Sequence, residues 1–446
     1  MSDMLSIGAS GLRAYQTALT TVSENIANAG STGYSKRVTD IREVSAASAP
    51  MTGTVNGLGS AVSGVGRAGD MFRAAEVRTA SSDLARTETG ATWLERIEGA
   101  LSGDRLGDRL TQFFTSARAV AADPSASAPR AAMLEAASSV AVSFAATGNA
   151  LAGAAAELDA SADAAVTELN GLGAALAKVN AGLGRTTPGS SGTASLLDQR
   201  DQLLESMSAL TDVDISLDGV GRAVVRVGGA SGPVLVQGDS AATVTYVRGD
   251  EGQASFAAHR DGQVTSFTPY AGALSGMADG AQRIATARAD IDALADAFAS
   301  GVNAVQAQGR DLNGTAGAPM FEIGDPASQL TLTLVDPRGI AAAGVGGGVR
   351  DNSNLTALES LRSSGSYETR VTDMVTTNAA ALSARRTVSE AQNAIRDSAV
   401  AARDAASGVN LDEEAVDLLR FQQAYQASSR VIQIARETFQ SILDIR

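Results

Sequence analysis

The chain has 446 residues, 44% apolar but only 4% aromatic, and a formal net charge of −14. That acidic balance leaves no concentrated positive face for phosphate and argues against a nucleic-acid partner. The absence of cysteine excludes disulfides, thiolate nucleophiles and thiolate metal sites. The length accommodates two to four domains, with cores built largely of alanine, valine and leucine. Nowhere do 18 or more apolar residues run consecutively, and no basic segment precedes an apolar run at the N-terminus. Neither a membrane span nor a cleaved secretory signal is therefore expected.

The first predicted element is a helix within residues 1–34. Leu5, Leu12, Leu19 and Ile26 are spaced by seven, and Gly8, Tyr15, Val22 and Ala29 form a partner row. The run Asn28-Ala29-Gly30-Ser31-Thr32-Gly33-Tyr34 stops it, since its glycines accept left-handed backbone angles and Asn28 can cap locally. Residues 38–65 read as an extended loop with one or two short strands. Helical spacing returns from Met71 to about Ala121, anchored by Trp93, Leu94, Ile97, Leu101, Leu106, Leu110 and Phe113. Pro124 and Pro129 bracket a connection. A long alanine-rich helix is predicted over 130–183, with a break at Gly148 or Gly153. A loop at 187–192 precedes a further helix over 195–210.

At Asp212 the period changes to two. Val213, Ile215 and Leu217 alternate with polar residues, Asp218-Gly219 offers a hairpin turn, and Ala223, Val225 and Val227 alternate again. Further strands are predicted at 234–236, 243–247, 254–258 and 264–267. From Gly276 a helical stripe runs through Ile284, Ile291, Leu294, Phe298 and Val302 to the turn Asp311-Leu312-Asn313-Gly314. A short strand at 330–334, a glycine-rich crossing at 344–348 and helices over 354–361 and 367–407 follow.

The last element begins near Leu411. Asn410 with Glu413 three positions on reads as an N-cap with a capping-box partner, and Asp412, Glu413 and Glu414 suit the helix dipole. Leu411, Leu418, Tyr425, Ile432 and Phe439 lie seven apart, with Phe421, Ala435 and Ile442 beside them. The two terminal helices are expected to pair along these stripes, although an ordinary helical core would carry the same periodicity. The fold class is mainly α, with a small antiparallel β domain inserted in a helical bundle and the N- and C-terminal helices paired as a coiled coil. The expected boundaries are 1–40 for the first helix and turn, 41–211 for an extended segment and the first half of the bundle, 212–270 for the β domain, 271–407 for the second half and 408–446 for the last helix.

Motifs for chemistry are sparse. The single histidine, His259, has no second histidine or cysteine to complete a ligand set or catalytic pair. Asp212, Asp214, Ser216, Asp218 and Gly219 superficially resemble a calcium loop, but Val225 stands where a bidentate Glu is required. Neither lysine, Lys36 nor Lys178, follows a glycine, so no Walker A loop exists, and G-x-S-x-G and H-E-x-x-H are absent. No catalytic residue, cofactor or metal is expected. An enzyme using two dispersed carboxylates, such as a secreted cell-wall hydrolase, is the alternative of another class.

The turn Ala27-Asn28-Ala29-Gly30-Ser31-Thr32-Gly33-Tyr34-Ser35-Lys36-Arg37 resembles the signature of bacterial flagellar rod, hook and hook-associated proteins, in which an Asn and a Gly-Tyr pair follow the first helix. Gly408-Val409-Asn410-Leu411-Asp412-Glu413-Glu414, with Phe421-Gln422-Gln423-Ala424-Tyr425 and Arg430-Val431-Ile432, resembles the C-terminus of the FlgK type, the first hook-filament junction protein. Leu196-Leu197-Asp198-Gln199-Arg200-Asp201 and Gln308-Gly309-Arg310-Asp311-Leu312-Asn313-Gly314 point the same way. Lys36 beside Arg37 departs slightly from the usual single basic residue. The resemblance implies a structural, non-enzymatic protein of the hook-filament junction. It implies secretion unfolded through the type III route and assembly as a homo-oligomeric ring through the terminal helices. Another axial protein, from rod or hook, is the nearest alternative. The implied interface is Leu5, Leu12, Tyr15, Leu19, Val22, Ile26, Leu411, Leu418, Phe421, Tyr425, Ile432 and Phe439. The implied family turn is Asn28, Gly33 and Tyr34. The implied partners are the chain itself, hook protein, a second junction protein and an export chaperone held by Leu418, Phe421, Tyr425, Val431 and Ile432, with no nucleic acid or membrane.

Overall fold

The structure is a computed structural model that describes residues 2–31, 33–44 and 59–444. Residues 45–58 of the expected loop, and Thr32 of the turn, therefore lie outside the described residues. Helix α1 (Ser2–Asn28) leads into strands β1 (Arg37–Glu43) and β2 (Ser60–Arg67), which pair antiparallel. Helix α2 (Met71–Gly103) is capped by Asp70, whose carboxylate accepts from the backbone N–H of Phe72 and Arg73. The helical stretch expected over 71–121 is two helices. Arg105 sits at φ 52°, a left-handed angle no α-helix continues through, and α3 (Leu106–Ala122) starts anew.

Helix α4 (Ser127–Leu183) spans 57 residues without the break expected at Gly148 or Gly153. A single glycine costs a helix only about 1 kcal/mol relative to alanine, which the surrounding packing offsets. Gly148 serves a close approach instead: a Cβ there would stand 2.5 Å from Ser328 Oγ. This helix is also long and apolar enough to cross a membrane by composition alone. Here Val140, Phe144, Leu151, Leu158 and Leu169 are fully buried in the core it organises. Helix α5 (Ser191–Leu210), capped by Ser190, returns along it.

The β segment forms two antiparallel sheets, in accord with the alternation. One has the order β3 (Asp214–Leu217), β4 (Ala223–Arg226), β5 (Val234–Gln237), β6 (Ser240–Ala241). The other has the order β7 (Thr243–Arg248), β8 (Ala254–Arg260), β9 (Gln263–Phe267). Of the residues that resembled a calcium loop, Asp212 accepts from the N–H of Gly228, Gly229 and Tyr270, Asp214 and Ser216 lie in β3, and Asp218 and Gly219 belong to the β3–β4 turn, where Asp218 accepts from the N–H of Val220 and Arg222. Both sheets lie against α4. Asn180 donates to Ala223 O and accepts from its N–H at 2.8 and 2.9 Å, and Asn170 does the same for Val244 at 2.9 and 2.7 Å. Val225, Leu235, Val236 and Phe256 join one core continuous with the helices.

Helix α6 (Gly272–Gln308) precedes a hairpin of β10 (Phe321–Ile323) and β11 (Leu330–Leu332), so the strand expected near 330 has a partner. Helices α7 (Leu355–Gly365), α8 (Tyr367–Ser407) and α9 (Leu411–Leu443) complete the chain. Phe113, Phe114, Phe298 and Tyr367 interlock edge-to-face or stacked at centroid distances of 5.2 to 6.2 Å, which compensates for the low aromatic content by concentrating it.

Candidate functional site

Helices α1 and α9 pack antiparallel. Tyr15 meets Phe421 at 6.4 Å between ring centroids, Gly8 faces Ile432 and Ser428, and Asn25 reaches Glu414. The row of α1 that meets α9 is small. Gly8 and Gly11 face α9, a Cβ on Gly8 would stand 2.8 Å from Ile432 Cγ1 and one on Gly11 3.0 Å from Ser428 Oγ, and Ala14, Ala18 and Val22 further along α1 are buried too. Small residues let the two backbones come close, which the leucine spacing did not signal. The signal present was the recurrence of glycine and alanine at steps of three and four.

Leu5, Leu12, Leu19 and Tyr15 are half-buried and Ile26 is exposed. On α9, Leu418, Phe421, Tyr425 and Ile432 are half-buried, whereas Leu411, Val431 and Phe439 are exposed. Val416, Leu419, Ile434 and Ile442 add further exposed apolar side chains, each more than half open to solvent. Periodicity singled out one stripe; the helix carries apolar side chains around much of its circumference.

At the far end of this pair the turn residues build a polar knot. Asn25, 1% exposed, donates to Arg37 O and to Glu414 Oε2 at 2.9 and 3.0 Å, and its Oδ1 accepts from Tyr34 O–H and Arg37 N–H, both at 2.9 Å. Its four hydrogen bonds satisfy a fully buried amide. Lys36 lies 3.1 Å from both Glu413 and Glu414. Burial pulls the Lys36 ammonium down, but hydrogen bonds to Glu413 and Glu414 outweigh it and leave its pKa raised. Burial raises the Tyr34 phenol, against the pull of the Arg37 guanidinium over its ring. Glu413 therefore pairs with Lys36 instead of closing a capping box; Asn410 alone caps α9 through the N–H of Asp412.

Asn28 bonds back to Glu24 O and ends α1. Gly33 needs its glycine twice over: φ is +74°, and a Cβ would stand 2.0 Å from Gln202 Nε2. That contact joins the turn to the residue following the internal stretch 196–201. Arg67 bridges Asp198 at 3.0 Å and Asp201, Arg200 pairs with Asp201, and Arg403 with Glu205 at 2.9 Å. Lys36 N–H donates to Ser407 O, tying the end of α8 to the same place. Burial raises the Asp198 carboxyl, only partly opposed by Arg67. The turn after α1, the segment between α8 and α9 and the body thus meet at one joint around a cleft of 530 Å³. Among the described residues no group of three or more His, Asp or Glu could hold a metal ion. His259 faces out of its sheet and bonds to Thr245.

Residues 93–321 match the family described as flagellar hook-associated protein FlgK helical domain, and residues 403–445 match the flagellar basal body rod FlgEFG protein C-terminal. The chain is 27% identical over 378 residues to flagellar hook-associated protein 1 of Escherichia coli strain K12, covering 80% of this chain and 66% of that one. It is 28% identical over 345 residues to the protein of the same name from Salmonella typhimurium, covering 73% and 60%. With that from Bacillus subtilis the identity is 24% over 488 residues, covering 97% and 96%. The matches thus span less than two thirds of the two enteric relatives. The solved flagellar hook junction protein FlgK from Burkholderia pseudomallei shares the fold, with a TM-score of 0.50 at 22% identity over 56% of this chain and 46% of that one.

Proposed function

The chain belongs to the FlgK family of flagellar hook-associated proteins, and on that premise we propose that it is a structural part of the bacterial flagellum at the junction of hook and filament. Its terminal helices assemble as a ring with those of identical copies, and its body projects outward. The observation that carries this reading is the open apolar surface of α9. One narrow seam is closed by α1, while Val416, Leu419 and Ile434 remain exposed on other sides of the same helix. Apolar surface of this kind marks an interaction site, and a closed ring of copies supplies the missing burial.

Hook protein on one side and a second junction protein on the other are the neighbours this placement requires. Export as an unfolded chain by the flagellar type III apparatus fits a chain with no cysteine to cross-link. A cytoplasmic chaperone would cover Leu418, Phe421, Tyr425, Val431 and Ile432 until assembly. The joint at Asn25, Lys36 and Glu414 fixes the angle between the paired helices and the body. The test is deletion of the gene in its source organism, with electron microscopy of the cell surface and measurement of flagellin in the medium. Hooks without filaments and flagellin lost to the medium are expected. Absent hooks would move the protein to rod or hook, and normal filaments would overturn the reading.

A further inference from the structure

Strand β9 lies at the edge of its sheet, with β8 on one side, and among the described residues no hydrogen bond other than those to β8 reaches its main chain. Other strands are closed at their edges. Asn170 takes up the N–H and C=O of Val244 on β7, Asn303 does the same for Phe321 on β10, and Gly189 O accepts from Val65 N–H on β2. Strand β3 has only four residues and begins with Asp214. An open edge is usually guarded by lysine, proline, a bulge or an inward-pointing charge. Gln263-Val264-Thr265-Ser266-Phe267 carries none of these and pairs with β8 in unbroken register. Gln263, Val264, Thr265 and Ser266 are all exposed, Val264 by 61%.

The β8–β9 turn is Asp261-Gly262, with φ of 50° and 76°, a hairpin turn of the I′ kind whose flanking residues, Arg260 and Gln263, exchange hydrogen bonds. Bonded and non-bonded pairs alternate along an antiparallel ladder, so the N–H and C=O of Val264 and Ser266 are aimed away from β8. A second β9 turned about Thr265 sets its Ser266 opposite Val264 and its Val264 opposite Ser266. Every outward donor then meets an outward acceptor, and Thr265 meets its counterpart in a favourable cross-strand pair. The edge carries no charge, and identical molecules of net charge −14 approach one another at least cost where charge is absent. We propose that β9 is a docking edge for the β9 of a second copy, which joins two three-stranded sheets into one across a two-fold axis. Copies around a single ring axis all point one way and are not related by such a two-fold. The pair therefore forms between free chains and does not rest on the flagellar placement. Short strands bury little area, so the contact is weak and dissociates on dilution.

The test is sedimentation of the full chain over a wide range of concentration, with amide hydrogen exchange resolved to single residues at both ends of that range. The variants are Val264→Lys, Ser266→Glu, Ser266→Pro and Val247→Lys, each checked for folding by circular dichroism. A proline at an edge whose N–H faces outward leaves the ladder to β8 intact. The expected result is reversible association in which the amides of Val264 and Ser266 slow at least about tenfold at high concentration while those of β8 keep their rates. Ser266→Pro and Val264→Lys each weaken it at least about tenfold. Val247→Lys, on the same face but on the far strand, leaves it unchanged. Mixing Val264→Lys with Ser266→Glu restores association, because the introduced charges then lie opposite each other. A chain that stays monomeric, with both amides exchanging freely, would overturn the proposal and leave the edge to a different partner. Association that leaves both amides free, or that survives Ser266→Pro, would overturn it and assign the contact to another surface such as the open side of α9. An equal loss from Val247→Lys would overturn it in favour of face-to-face packing.

Discussion

Ile432 and Ile434 sit two residues apart on α9 and face different surroundings, which makes them a discriminating pair. Ile432 packs on Gly8 in the seam, whereas Ile434 is 55% exposed. Ile434→Asp should leave the free chain's stability within about 0.5 kcal/mol, as surface changes do. Ile432→Asp should loosen α1 from α9 by about 1–2 kcal/mol, the worth of a half-buried isoleucine. In an assembly that covers Ile434, the ranking changes. Burying its open half contributes about 1 kcal/mol per subunit, and placing an unpaired carboxylate there costs several more. A loss of about 3 kcal/mol weakens each contact more than a hundredfold. Thermal unfolding of the purified variants, protease digestion of their ends and electron microscopy of a complemented deletion strain would read these effects. Ile434→Asp is expected to fold normally and fail to incorporate. Normal incorporation and swimming of Ile434→Asp would refute the claim that the outer face of α9 is covered in the flagellum.

Asn25→Ala strips partners from Tyr34, Arg37 and Glu414 at once, and is expected to cost about 2–4 kcal/mol locally; faster proteolysis within residues 29–44 and 405–415 would show it, and unchanged digestion would count against the joint. Gly33→Ala should destabilise the turn by at least about 1 kcal/mol, with part of the loss recovered by Gln202→Ala if contact as well as φ is responsible. Lys36 has a raised pKa, so its contribution is complete below the unfolded value of 10.5 and is lost as pH rises through the folded value. The stability difference between wild type and Lys36→Met in urea unfolding should therefore shrink above pH about 10.5; a difference that grows there would contradict the ion pair. Asn180→Ala should expose the Ala223 amide and carbonyl, costing about 1–3 kcal/mol, seen as faster hydrogen exchange in β3 to β5 with α2 unaffected.

Local chemistry by itself determined much of this protein. Seven-residue spacing gave the terminal helices, two-residue alternation gave the strands from Ile215 to Phe267, and Asn410 marked the start of α9. The residues from Asn28 to Tyr34 declared a turn, because glycine is where left-handed angles are cheap. Tertiary structure decided what periodicity could not. It set Gly8 and Gly11 against α9, since close approach of two backbones selects a face of small residues. It carried α4 through Gly148 and split the stretch before α3 at Arg105, because a helix persists or breaks according to what packs around it. Above all it brought Asn25 to Glu414 and Gly33 to Gln202. Contacts between residues hundreds of positions apart leave no period in a sequence; they exist only once the helices that carry them have been packed.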